Sequence, residues 1–145
     1  MDEEMLEKLA ERFKAMRYER YKVFVVVGRP ASGKSALAKA VAGQVGATYL
    51  NCLSDVLPQV KDVPLGVFGP LDLKRFIVER ANKGGLVVDE IEPLVSTFPK
   101  GEKDVIDFYS LLADTEARHP VLLVTRLGDL LKGSSFPAKR IYEVK

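Results

Sequence analysis

YKVFVVVGRPASGKS, residues 21–35, decides the fold. Its first half is a valine run flanked by polar residues, the pattern of a strand buried on both faces. Its second half runs Gly28-Arg29-Pro30-Ala31-Ser32-Gly33-Lys34-Ser35 and satisfies G-x-x-x-x-G-K-[ST] at every fixed position. Residues 36–45 then read as a helix, with Leu37, Val41 and Val45 on one face and Gly46 as its stop.

Strand, glycine loop and helix in that order form a device for holding phosphate. The glycines permit backbone angles and close approaches that a side chain forbids. Consecutive amides turn inward as an anion nest, and the helix that opens near Gly33 adds the positive end of its dipole. Lys34 brings a charge to the β- and γ-phosphates, and the Ser35 hydroxyl is placed to ligate Mg²⁺. Residues 28–35, with Ala36 behind them, are therefore the expected binding set for ATP. Pro30 lacks an amide donor and is read as stiffening the loop where that donor is not needed.

Outward from this stretch, further short apolar runs alternate with helical patterns. Strands are expected at 48–52, 86–88, 120–125 and 140–144, and helices at 2–17, 70–82, 102–116 and 128–132. Residues 54–70, with Pro58, Pro64, Gly66, Gly69 and Pro70, read as turn and loop with one helical turn. Gly84-Gly85 is read as the break after the 70–82 helix, and 96–101 as a loop. The alternation implies an α/β fold: a three-layer αβα sandwich around a mostly parallel five-stranded sheet. Ligands of such sheets bind beyond the carboxyl ends of the strands, here residues 28–35, 51–54, 89–92 and 125–126.

The chain has 145 residues, the usual size of one domain. The expectation is a single domain over 1–145, in which a helix at 1–20 precedes an αβα core at 21–145. A net charge of +2 is too small to announce a nucleic-acid partner. Cys52 is the one cysteine, so no internal disulfide can form, and a reducing compartment, the cytoplasm, is expected. The start, MDEEMLEKLAERFK, is acidic and helical in pattern, unlike a signal peptide. No apolar stretch approaches the roughly 20 residues that span a bilayer, so no membrane role is expected.

LVVDEIE, residues 86–92, resembles the Walker B element. On that resemblance Asp89 holds Mg²⁺ at the end of a strand beside the phosphate loop. Glu90 polarises the water that attacks the γ-phosphate, which is general-base work. Glu92 reads as a solvated loop acid. The spacing of loop, acidic strand end and following strand resembles the ASCE division of P-loop NTPases, which includes the AAA+ proteins. There the next strand ends in a polar sensor, and Thr125 occupies the matching position. The guanine-reading [NT]-K-x-D sequence is absent, so a GTPase fits poorly. A small-molecule kinase and a nucleotide-dependent binding module that does not hydrolyse remain as alternatives.

AAA+ proteins carry a helical lid after the fifth strand, whereas this sequence stops after KRIYEV, so an AAA+-like sheet without that lid is expected. Transition-state charge would then come from an arginine finger of another subunit, for which Arg118, Arg126 and Arg140 are the candidates. A short chain with an opening amphipathic helix, YKVFVVVGRPASGKS, YLN at 49–51, LVVDEIEPL and FPAKRIYEV also resembles the small P-loop protein family BrxF of type 3 BREX bacteriophage-exclusion systems. That resemblance implies a bacterial ATPase serving a multi-protein defence complex. The partners it implies are further copies of the chain or larger proteins, with DNA as a further possible contact. The basic residues Lys132, Lys139 and Arg140, with Phe136, read as a solvated surface.

Overall fold

The computed structural model describes residues 2–29, 32–60 and 68–144. The valine run becomes β1 (Val23–Gly28), and four more strands join it: β2 (Thr48–Asn51), β3 (Leu86–Asp89), β4 (Val121–Thr125) and β5 (Ile141–Val144). They form one five-stranded sheet in the order β2-β3-β4-β1-β5, and every pairing is parallel.

Successive side chains of a strand point to opposite faces, and both faces of this sheet are apolar. Val23, Val25, Val88 and Leu123 face α4 (Pro70–Arg80) and α6 (Glu102–Ala113). Phe24, Val26, Val87, Leu122 and Val124 face α1 (Glu3–Ala15) and α2 (Lys34–Val45). The expected three-layer α/β sandwich is the observed one. α1 belongs to a layer of the core. Asp2 caps it by accepting from the Met5 amide at 3.0 Å, and Leu9 and Phe13, with Met16 just beyond, are fully buried. Burying three such side chains is worth about 5–9 kcal/mol before the entropy of ordering them is counted.

Three local expectations are corrected. Residues 52–60 hold more helix than the single turn expected there: a π-type turn (Cys52–Val56) runs into α3 (Leu57–Val60). The cause is a cap, since the Asn51 side chain accepts from the amides of Leu53 (2.9 Å) and Ser54 (3.2 Å). Pro58 is the second residue of α3 and follows directly on the π-type turn; Pro64 and Gly66 lie outside the described residues. α4 stops at Arg80, with Ala81 already extended, so the break precedes Gly84-Gly85. Gly85 serves a close approach instead: its φ is +90°, and a Cβ there would lie 2.5 Å from the Phe13 ring. A short α5 (Glu92–Val95), which no sequence signal marks, follows β3. α7 (Gly128–Lys132) stands where it was expected. Among the described residues no helix is long and apolar enough to cross a membrane.

The strand order places the site. The chain leaves β1 through α2 on one face and leaves its neighbour β4 through α7 on the other. Connections departing to opposite faces open a crevice between the two strand tips, the place where open α/β sheets bind ligands. The phosphate loop sits at that crevice.

Candidate functional site

The loop is built by glycines that admit close contacts. An ideal Cβ on Gly28 would fall 2.5 Å from Ser32 Oγ and 3.1 Å from Lys34 Cδ, so the loop folds back over the end of β1. The Ser32 amide donates to the Arg29 carbonyl at 3.1 Å. Gly33, with φ +85°, is the left-handed N-cap from which α2 springs. Lys34 opens α2, and its Nζ reaches back to donate to the Arg29 carbonyl at 3.1 Å, bracing the loop. Ser35 is half-buried in the first turn of α2, and Ala36 is exposed. Ser32 Oγ is buried inside the loop with no hydrogen-bond partner among the described residues. An orphaned hydroxyl beside a helix N-terminus and a lysine fits a phosphate oxygen as its missing partner. Pro30 and Ala31 lie outside the described residues.

Asp89 is 2% exposed. Its Oδ2 accepts from the Tyr49 hydroxyl at 2.6 Å and its Oδ1 from the Glu90 amide at 2.9 Å. Burial, and then the Asp89 carboxylate, push the Tyr49 hydroxyl well above the ordinary tyrosine range. Among the described residues no cation pairs with Asp89. A buried carboxylate with two hydrogen bonds and no counter-charge, near the Ser35 hydroxyl's helix, is an oxygen donor set that suits Mg²⁺. Among the described residues no group of three or more His, Cys, Asp or Glu is placed to hold a metal ion. Glu90 has φ +57°, the left-handed region for a residue with a long side chain. β4 stands between β3 and β1, so Asp89 is one strand removed from the loop rather than on its neighbour.

The end of β4 departs furthest from expectation. Thr125 is fully buried, and its hydroxyl is engaged with Tyr109 Oη (2.9 Å) and accepts from the Leu127 amide (3.1 Å). Alternation explains this: Thr125 shares the parity of Leu123 and so points to the α6 face, away from α2. Glu92 is not a solvated acid, since its side chain is 11% exposed. Its Oε1 accepts from the Arg126 amide at 3.0 Å and lies 3.8 Å from Arg126 Nε, while Oε2 is buried without a partner among the described residues. Burial pushes this carboxyl above its usual range.

The three arginines separate cleanly. Arg140 is 4% exposed; it donates to the carbonyls of Val23 (2.9 Å) and Ala113 (2.7 Å), and its guanidinium lies 4.8 Å from the Phe136 ring centroid. It clamps the amino ends of the strands from inside, so it is neither an exposed finger nor part of a solvated basic surface. Arg118 is exposed but precedes β4, at the pole opposite the loop. Arg126 alone stands at the loop's end of the sheet, its side chain 52% exposed. It lines a cavity of about 690 Å³ with Gly28, Arg29, Lys132, Glu143 and Val144, which continues from the loop toward α7 and β5.

Neither a protein-family model nor a curated protein matches this chain by sequence. Among solved structures, the AAA domain of FIGL-1, determined in complex with ADP, superposes with a TM-score of 0.51 at 17% identity, covering 95% of this chain and 51% of that one. NtrX from Brucella abortus, determined in complex with ATP, gives a TM-score of 0.39 at 15% identity, covering 97% of this chain and 35% of that one. The chain thus spans about half the length of the FIGL-1 structure that it matches. Strand order, loop and this likeness together give the chain the fold of an AAA-type P-loop domain.

Proposed function

We propose that this chain binds ATP with Mg²⁺ and hydrolyses it. The observation that carries the proposal is the loop over Gly28: glycine-dependent closure, a left-handed cap at Gly33, and a buried Ser32 hydroxyl without a partner among the described residues. In this reading the loop amides, Ser32 and Lys34 hold the β- and γ-phosphates. Ser35 and Asp89 would hold the metal, which neutralises phosphate charge when bound. Glu90 accepts a proton from the water whose oxygen attacks the γ-phosphorus, as the bond to the β–γ bridging oxygen breaks. The cavity that adjoins Gly28 and Arg29 offers room for the base and ribose.

The resemblance to BrxF extends the proposal to a cytoplasmic phage-exclusion assembly. ATP would there drive or gate contacts with further copies of the chain, larger proteins or DNA. Phosphate release by wild type and Glu90→Gln, each with and without DNA, tests the enzymatic part; release by wild type alone is expected. Size-exclusion chromatography with and without ATP and Mg²⁺ tests the assembly part.

One observation favours the second reading, a nucleotide-dependent binding module with negligible turnover. The Thr125 hydroxyl expected to meet the γ-phosphate is spent inside the core. ATP binding by both proteins with phosphate release by neither would select that reading for the isolated chain.

A further inference from the structure

We propose that Tyr49, to which no sequence motif gives a role, is the positioning residue for Asp89 and thereby sets how much Mg²⁺ this chain needs to bind nucleotide. The inference rests on the nucleotide reading above and adds a residue to it.

The hydroxyl of Tyr49 lies 2.6 Å from Asp89 Oδ2, the length of a strong O–H···O⁻ bond to a carboxylate. The Glu90 amide holds Oδ1 at 2.9 Å. With one donor on each oxygen, the carboxylate cannot turn about its Cβ–Cγ bond without losing both. Each oxygen still has a lone pair to offer a ligand.

The reach of Tyr49 is built into the sheet. Asn51, not Tyr49, stands opposite Asp89 in the parallel register, so the phenol extends along the strand by two residues to meet the carboxylate. The ring packs against the layer formed by α1 and α2, and the Lys39 ammonium of α2 lies 5.6 Å from its centroid. Tyr49 therefore touches both elements that would supply a metal ligand: α2, which carries Ser35, and β3, which carries Asp89. A phenol in this place fixes the direction in which the carboxylate presents its free lone pairs. Partners that orient metal ligands in this way typically change metal affinity 10–100-fold when removed.

The test is Tyr49→Phe, which keeps the ring and its packing and deletes one oxygen. Binding of a fluorescent ATP analogue is followed while Mg²⁺ is titrated, and again in EDTA. The Mg²⁺ concentration at half-saturation should rise about tenfold or more in the variant, with binding in EDTA unchanged. The same substitution in an Asp89→Asn background should add nothing, because Tyr49 acts through that carboxylate. An unchanged Mg²⁺ half-point, an equal loss with and without Mg²⁺, or full additivity with Asp89→Asn overturns the proposal while leaving the nucleotide reading intact. A wild-type protein that binds no analogue under any condition overturns the nucleotide reading itself.

Discussion

Glu90 sits at φ +57°, and two substitutions there separate its backbone from its chemistry. Left-handed backbone costs an L side chain about 1–2 kcal/mol. Alanine keeps that cost and glycine removes it, while glycine loses about 0.5–1 kcal/mol through the extra freedom of the unfolded chain. Glu90→Gly should therefore be more stable than Glu90→Ala by about 0.5–1 kcal/mol, or about 1–4 °C in melting temperature for a chain of this size. In an ordinary strand or helix the order is the reverse. Both variants lack the carboxylate, so phosphate release should fall about 10²–10⁴-fold in each while ATP binding persists. Thermal and urea melts read the first effect and single-turnover phosphate release the second. An alanine variant at least as stable as the glycine variant refutes the left-handed backbone. Turnover at the wild-type rate in either variant refutes the assignment of Glu90 as base.

Gly85→Ala combines left-handed strain with a Cβ 2.5 Å from the Phe13 ring and 2.9 Å from the Pro120 carbonyl. Its expected cost is about 2–5 kcal/mol in the urea transition, whereas Gly43→Ala, with open space around it inside α2, should stabilise by about 0.5–1 kcal/mol. Glu92→Gln addresses pH. Burial raises the Glu92 carboxyl in the folded state, so the native chain holds that proton more tightly than the unfolded chain. Wild-type stability should fall as pH rises from the unfolded to the raised folded value, and the glutamine variant should lose that slope. Identical slopes from unfolding curves across that window contradict the burial argument.

What could be read in advance follows from what local sequence controls. Strands buried on both faces lack polar alternation, so the runs at 23–27, 86–88 and 121–124 announce themselves, and the glycine loop that follows Val27 has few other uses. Several differences share a cause, a partner far along the chain. Glu92 and Arg140 carry charges whose default place is solvent. One is buried by the β4 tip 34 residues away, the other by carbonyls 117 and 27 residues away. Tyr49 finds Asp89 40 residues later, and nothing in TYLN signals it. The face that Thr125 takes follows from parity. Which side of β4 meets α2 becomes known only when the strand order is known, and one residue along a strand reverses the face. Pro58 reads as a breaker, and the helical turns after Asn51 are set instead by the cap that Asn51 places on the amides of Leu53 and Ser54.

The central claim is that the loop from Gly28 to Ser35 is a receptor for a triphosphate. Titration calorimetry of the wild type and Lys34→Ala with ATP, Mg²⁺ present throughout, tests it directly. The account predicts saturable heat for the wild type and at least about a tenfold loss of affinity without the ammonium group, as removal of a charge-assisted contact of roughly 1.5–3 kcal/mol requires. No heat from the wild type, or equal affinity in both proteins, would contradict it.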